Sequence, residues 1–465
     1  MAKTYVFGIG GTGARVLKSL SLLLASGVEC DTSIVPIIID PDMNNGDLTR
    51  TVTILQHYNA IRSQLVLTNN SKNRFFQTEI IETSNFRLPI NNSQNVTFKQ
   101  FMEMDTMSSE SRAMMQMLFS ENNLTSDMVV GFKGNPNIGS VVLNQFADTN
   151  EFQEIANGFT QGDRIFIISS IFGGTGASGF PLLLKTLRTN KTMPNFGLIN
   201  NAPIGAITVL PYFKVEQDGN SSIDSGTFIS KTKAALSYYE KNISQDVDSL
   251  YYVGDDSSNQ QAYSNNEGGH DQQNNAHLVE LLSALAVLDF ANSSSIQRGT
   301  YKEFGLGTDK AENVIFSDFA DGTKQQIRRP MTQMMLFTHY LRECSIESCL
   351  SQQWSQTYKL DRNFLDSDFM SDIRFIQDEY VTWLHEMEDN QMGFAPFAWN
   401  ADKPFDIVKG VSPKKGWIFS KKDYQAFDLA LDKIKPSGES ENLQQIMMEL
   451  FYQATLNLVH DKLNM

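Results

Sequence analysis

The sequence predicts an α/β protein: a mostly parallel sheet with helices on both faces, a long core helix, and then a mainly helical C-terminal module. Short apolar, β-prone runs alternate with helix-patterned stretches through the first half of the chain. Three glycine-rich turns each separate such a strand from a helix. After Asp321 the pattern becomes almost wholly helical. Strands alternating with helices imply crossovers that cover both faces of a parallel sheet.

Taken in order, residues 4–9 form a first strand that Gly8 to Gly13 ends, and 14–24 carry helical spacing with Val16, Leu17, Leu20, Leu23 and Leu24 on one side. Residues 33–40 (SIVPIIID) read as a second, buried strand. Residues 57–125 are mixed and polar. Further strands are expected at 127–131, 164–170, 204–210 and 250–253, and helices at 140–146, 179–188 and 231–242. Residues 254–275 are almost wholly polar and read as a loop. The stretch 276–291 is apolar on nearly every side, as a helix buried between two bodies would be. Helices follow at 330–344, 368–389, 421–433 and 442–463, with room for a short strand or two. The last of these places Leu443, Ile446, Met447, Leu450, Phe451, Ala454 and Leu458 at helical spacing, for packing on its own body.

With 465 residues the chain can bury a full core without disulfide staples. Its net charge of −15 argues against a nucleic-acid-gripping surface. Three scattered cysteines, Cys30, Cys344 and Cys349, form no CxxC pair and suit a reducing compartment. With no signal peptide and no membrane-length apolar run, a soluble cytoplasmic protein without a membrane segment is expected. The 385–389 run resembles half of a zinc motif but has Asp where the second His should be, so it reads as a solvated acidic face.

The glycine turns are the chemistry-bearing feature. They are Gly8 to Gly13 (GIGGTG), Gly131 to Gly139 (GFKGNPNIG) and Gly173 to Gly179 (GGTGASG). Glycine lets a backbone approach a phosphate closely, and the following helix aims its free N–H groups and positive dipole end at the anion. Thr12, Thr175 and Ser178 add hydroxyl donors. One such turn is a weak signal. Three at the C-terminal ends of strands in one sheet lie where open α/β sheets bind ligands. No GxxxxGK[ST] occurs, which excludes a P-loop enzyme.

These residues resemble the tubulin/FtsZ family of GTPases, and within it the bacterial tubulin-like relatives. FGGTGASG at 172–179 resembles the family's GGGTGSG signature, the first turn resembles the FtsZ opening, and GNPNIG at 134–139 resembles its GNPEVG phosphate loop. IGAITVLPY at 204–212 resembles the strand and ribose loop, and DSLYYV at 248–253 the strand before the base-binding loop. The resemblance covers residues 1 to about 295. It implies a nucleotide-binding domain over 1–273, a core helix over 274–295 and a C-terminal domain over 296–465.

The resemblance further implies GTP or GDP with Mg²⁺ as ligands, and a GTPase self-associating into GTP-dependent filaments. Gly10, Gly11, Thr12, Gly13, Gly134, Asn135, Gly173, Gly174, Thr175 and Gly176 would cradle the phosphates. Asp40 or Asp42 would sit near Mg²⁺, although Asp-Pro-Asp is also good turn chemistry. Glu216 lies near the implied ribose contact. Asp255 takes the place of the family's base-turn asparagine, and a carboxylate accepts from the guanine N1–H and N2–H₂ groups. Asn274-Asn275-Ala276-His277 resembles tubulin's base-stacking helix start. Asn275 is the first choice for a base contact, with Asn274 as the register alternative and helix capping as the plain reading of both. Asp318 and Asp321 keep the spacing of the FtsZ acid loop, whose acids reach the neighbouring subunit's nucleotide; a solvated turn ending at Asp321 is the alternative. Two other functions fit parts of the pattern: a nucleotide-gated scaffold or sensor that neither hydrolyses nor polymerises, and a dinucleotide-binding oxidoreductase using only the first turn and Asp40.

Overall fold

The computed structural model describes residues 2–42, 44–67, 71–90, 96–128, 132, 135–215, 225–255, 262–263, 269, 273–296, 313–390, 393–401, 403–414, 423–437 and 442–465. Its centre is a five-stranded parallel sheet of β1 (Lys3–Ile9), β2 (Ser33–Ile39), β3 (Arg164–Ser170), β4 (Ile204–Val209) and β6 (Ser249–Val253), in the order β2-β1-β3-β4-β6. Two-residue strands β5 (Lys214–Val215) and β7 (Ala262–Tyr263) pair separately. The expected α/β class holds. Of the strand expected at 127–131, Asp127 makes an isolated bridge to Thr97, and 129–131 lie outside the described residues.

Pro36 lies in the middle of β2, where it would break a central strand. It is tolerated because β2 is at the sheet edge. Ile34 N–H donates outward to the Glu79 carbonyl, and Ile38 C=O accepts from Leu88 N–H, so the edge is covered on either side of the proline.

Side chains alternate along each strand between two cores. Tyr5, Phe7, Ile9, Ile165, Ile167, Ile204 and Ala206 face one core. It is completed by α3 (Pro136–Val142), α4 (Asn150–Asn157), α5 (Gly174–Thr189) and the end of α6 (Ser225–Asn242). Val6, Ile34, Ile38, Phe166, Ile168 and Ile207 face the other. There α1 (Gly10–Ala25), α2 (Gly46–Ser63) and the core helix α7 (Leu278–Asn292) pack on the sheet.

That second core continues without a break into the C-terminal helices α8 (Asp321–Glu343), α9 (Asp368–Glu388), α10 (Asp423–Lys433) and α11 (Leu443–Leu458). Helix α8 starts nine residues before the expected 330 because it runs through Pro330. No helix is expected from the sequence at α2, whose end overlaps the mixed, polar stretch that begins at 57. Its buried residues Leu48, Val52, Leu55, Tyr58 and Ile61 share its packed face with buried Asp47 and Thr51, which blurs the stripe. Helices α1 and α5 begin inside the glycine turns, several residues before their apolar spacing does. Among the described residues no helix is long and apolar enough to cross a membrane.

Gly205 marks where α7 approaches the sheet most tightly. A Cβ there would lie 2.7 Å from ring carbons of both Phe166 and Phe290. Gly205→Ala is therefore expected to cost about 1–3 kcal/mol by overpacking, measurable as a lowered urea midpoint with unchanged m-value.

Candidate nucleotide site

The strand order reverses direction at β1: β2 lies on one side of it and β3 on the other. The crevice at the C-terminal ends of β1 and β3 is the switch point at which such sheets bind ligands. The first and third glycine turns meet there. Gly10 has φ +72°, a left-handed conformation suited to glycine, and a Cβ on it would sit 3.4 Å from Thr175 Cβ. The second turn reaches the same place: a Cβ at Gly139 would lie 2.9 Å from Phe132 and collide with Ser178 of α5. Gly134 lies outside the described residues. Asn135 is the N-cap residue of α3, its N–H bonded to the Phe132 carbonyl at 2.8 Å.

Helices α1, α3 and α5 share one kind of start. None has a side-chain cap on its first turn, and none has an acidic residue there. By contrast α2 is capped by Asn45, α4 by Thr149, α9 by Ser367 and α11 by Asn442; α8 lacks a side-chain cap but carries Asp321 in its first turn, and the short helix Phe196–Asn201 has neither cap nor acid. The three helices beginning in glycine turns thus converge with positive ends and free N–H groups.

Not every glycine in these turns has the same role. A Cβ on Gly176 would come within 2.5 Å of the Ser170 carbonyl oxygen, and one on Gly13 would enter the backbone of Gly8. These two let helix lie against strand. Gly11 faces the site, with Arg15, Asn45 and Asp47 the nearest side chains. Gly173 is the N-cap residue of α5, and Gly174 and Thr175 open its first turn.

Beneath the first turn lies a buried network that the sequence reading missed. Arg15 donates from Nε to Glu280 (2.6 Å), from one terminal nitrogen to Asp47 (2.5 Å), and from the other to Tyr212 OH (2.8 Å) and Thr12 Oγ1 (3.4 Å). Tyr212 OH in turn donates to Glu280 at 2.8 Å. The carboxylates and phenol raise the Arg15 pKa well above its ordinary value against the opposing effect of burial. An arginine three residues beyond Thr12, in the helix that follows the first glycine turn, was the available signal.

At the end of β2, Asp40 accepts the Asp42 N–H at 3.0 Å. Asp42 accepts N–H groups from Asn44 (3.1 Å) and Gly269 (2.6 Å), so its carboxylate shapes the loop. Burial pushes the Asp40 carboxyl up to about 7, with Asp42 and Asp47 adding to the effect. A cation beside Asp40 would relieve this, which is the observation by which Mg²⁺ fits. Among the described residues no group of three or more His, Cys, Asp or Glu side chains could hold a metal alone, so an ion here would take its remaining ligands from phosphate and water.

At the far end of the crevice the helix cap is His277, not an asparagine. Its Nδ1 accepts the Val279 N–H at 3.0 Å, and Glu280 returns a bond to the His277 N–H at 3.2 Å. Burial pushes His277 down to about 4. The ring is therefore neutral, with its proton on Nε2, which lies 3.6 Å from Asp255 Oδ2. Asn274 is committed to Asp47 through its N–H (3.1 Å) and its side-chain amide (3.3 Å). Asn275 is exposed. Glu216 lies outside the described residues.

The two candidate acids lie in different surroundings. Asp318 closes the 3-10 turn Phe316–Asp318, is 5% exposed, and accepts the Ile315 N–H at 2.8 Å. Asp321 opens α8 with its side chain 83% exposed and pairs with Lys324 at 2.7 Å.

Neither a protein-family model nor a curated protein matches the chain. Among solved structures it is similar to CetZ from Methanosaeta thermophila strain DSM 6194, at 15% identity over 63% of this chain and 52% of that one, with a TM-score of 0.31. It is also similar to a GTPγS-bound protofilament of CetZ2 from Haloferax volcanii, at 14% identity over 62% and 59% of the two chains, TM-score 0.29. A third is a GTPγS-form protofilament of TubZ from Bacillus thuringiensis serovar israelensis, at 11% identity over 54% and 46%, TM-score 0.26. CetZ and TubZ are tubulin/FtsZ-superfamily proteins. The chain thus spans between about half and three-fifths of the first two structures it matches.

Arg15→Leu would leave Asp47 and Glu280 buried without their counterion. We expect a loss of about 3–5 kcal/mol in unfolding free energy, read by chemical denaturation, with Arg15→Lys recovering only part of it because a single ammonium cannot reach all four partners.

Proposed function

We propose that this chain binds a guanine nucleotide, GTP or GDP, at the C-terminal edge of its sheet. The observation that carries the reading is the convergence of three glycine-turn helices, all uncapped and free of acid in their first turns, at the switch point between β1 and β3. Such a cradle holds phosphates through backbone amides, and an acidic chain can then bind a polyanion without lysines. A dinucleotide oxidoreductase would need only the first turn and leaves the other two without a purpose.

Each end of the nucleotide has candidate partners. Gly10, Gly11, Thr12, Gly13, Asn135, Gly173, Gly174, Thr175 and Gly176 line or shape the phosphate end, with Gly134 of the same turn. Asp40, with Asp42 holding its loop, would ligate Mg²⁺, which neutralises phosphate charge when bound. Asp255 and Asn275 would read the base. Asp255 Oδ2 lies 3.6 Å from His277 Nε2, too far for a hydrogen bond between them, and a carboxylate is the acceptor that guanine N1–H and N2–H₂ require. Glu216 remains the proposed ribose contact.

We further propose self-association into filaments, with hydrolysis completed between subunits. Of the two acids at the family's spacing, Asp321 is exposed and able to reach a neighbour, whereas Asp318 is occupied with its own turn. The burial of Asp318 also favours a second reading, a nucleotide-gated scaffold or sensor that binds GTP without turning it over.

Nucleotide released on denaturing the purified chain should be GTP or GDP; NAD(P) or FAD would refute the site. In titrations GTP should exceed ATP by on the order of 100-fold or more, because the wrong base does not satisfy the largely buried Asp255 carboxylate. Equal affinities would refute base recognition by Asp255 and Asn275.

Turnover per molecule should rise with protein concentration if the active site is composite, and Asp321→Ala should stop it while sparing GTP binding. Turnover that stays flat with concentration would point to a self-contained site. No turnover and no sedimenting polymer at any concentration would leave the scaffold reading.

A further inference from the structure

The acidic run 385–389, expected to be a solvated face, contains a side chain that bonds to the segment just before the core helix. Glu386 is largely buried and accepts from Lys18 (3.2 Å), from Arg50, and from the backbone N–H of Ala276 (3.1 Å). Although burial opposes it, Lys18 and Arg50 hold the Glu386 carboxyl below the usual range for glutamate. One turn on, Asn390 donates to the Ala276 carbonyl at 2.8 Å and to the Glu386 carbonyl at 2.9 Å. Ala276 is 0% exposed, so side chains at the C-terminal end of α9 satisfy both of its backbone polar groups. This alanine lies between Asn275 and the helix-capping His277.

We propose that Glu386 and Asn390 are positioning residues for the base-contact turn, so that guanine recognition and the seating of α9 are coupled. The inference rests on the reading of Asn275 as a base contact. If α9 shifts, the N–H and C=O of Ala276 lose their partners in a buried place, which is costly for both groups. The turn therefore follows the helix. Coupling is reciprocal: a ligand that orders Asn275 must favour the seated position of α9 by the same factor that α9 favours the ligand.

Helix α9 is itself fixed by residues seven apart. Asp372, Glu379 and Glu386 face His57 and Arg50 of α2, with His57–Asp372 at 2.7 Å and Arg50–Glu379 at 2.7 Å. The Trp383 indole N–H adds a bond to Ser19 of α1 at 3.1 Å. Among the described residues, 10–13 and 173–176 make no hydrogen bond to α9 or to Asn390, so loosening Ala276 through Asn390 leaves the bonds of both glycine turns in place.

The test uses the full chain, with GTP, ATP and inorganic triphosphate as a base-free competitor. Asn390→Ala should weaken GTP about tenfold, narrow the preference over ATP, and leave the triphosphate affinity unchanged. In the ligand-free chain it should also speed hydrogen exchange at the Ala276 amide. Equal weakening of GTP and triphosphate would mean general loosening and would overturn the inference, as would unchanged GTP affinity or unchanged exchange. If the alanine variant does not fold, Asn390→Ser, too short to reach the Ala276 carbonyl, takes its place with the same expectations. A wild-type chain that binds triphosphate but not GTP would overturn the base-site reading and this inference with it. A wild-type chain that binds GTP, with a variant that does so equally well, would overturn this inference alone.

Discussion

The buried guanidinium of Arg15 is the interaction on which the ligand end of the molecule depends. It ties together four segments that are distant in sequence: the first glycine turn through Thr12, α2 through Asp47, the segment after β4 through Tyr212, and the core helix through Glu280. One buried cation facing two carboxylates is unbalanced by one charge, and desolvating all three is costly. The arrangement is stabilised by where the carboxylates sit. Asp47 is in the first turn of α2 and Glu280 in the first turn of α7, so each lies at the positive end of a helix. Glu280 also accepts the His277 N–H. Arg15 is thereby fully committed within the protein, and the phosphate cradle is left to backbone amides.

That division of labour would let a chain with a net charge of −15 present the proposed anion site. The positive potential is local and made of peptide dipoles, focused by helices that start where their strands stop. The carboxylates nearby, Asp40 and Asp42, would otherwise repel a polyphosphate, and a divalent cation between them and the phosphates is the simple electrostatic remedy. The same α1 that opens toward the phosphates carries Lys18, directed away from them to Glu386. A single helix thus has its N-terminal turn in the ligand site and its flank in the interface with the C-terminal module. The shared apolar core makes that interface continuous with the fold.

The sheet was legible from sequence because its strands are short, almost wholly apolar, and punctuated by glycine. Positions 4–9, 33–40, 164–170, 204–210 and 250–253 needed no tertiary information. Helix α2 was not legible: Asn45, Asp47 and Thr51 are buried, so polar residues interrupt its core stripe. The network around Arg15 was invisible for a related reason. Arg15, Asp47 and Glu280 are each ordinary alone, and only the topology brings them together. The joint role of His277 and Glu280 as a capping box required knowing that the helix starts at Leu278. The glycines were found as a set, but the set could not say which face a ligand and which admit a packed backbone. Gly176 and Gly13 are of the second kind.

The acid motif shows most sharply what spacing leaves open. Asp318 and Asp321 are three residues apart, which on one continuous helix would put them on the same face. They are not on one helix. A 3-10 turn ends at Asp318, Phe319 and Ala320 follow in extended backbone, and α8 starts at Asp321. The break turns the first carboxylate inward to cap Ile315, while Phe316 and Phe319 anchor the turn against Phe394. The second carboxylate is left in solvent at a helix N-terminus, where the dipole and Lys324 favour its charge. A carboxylate kept ionised and exposed on a rigid helix start is suited to orienting a water on another molecule. A carboxylate already bonded to its own backbone is suited to holding that helix start in place. Under the proposed filament reading, Asp318 would hold the turn, and Asp321 would be the one exposed acid of this pair on which hydrolysis at a subunit contact could draw.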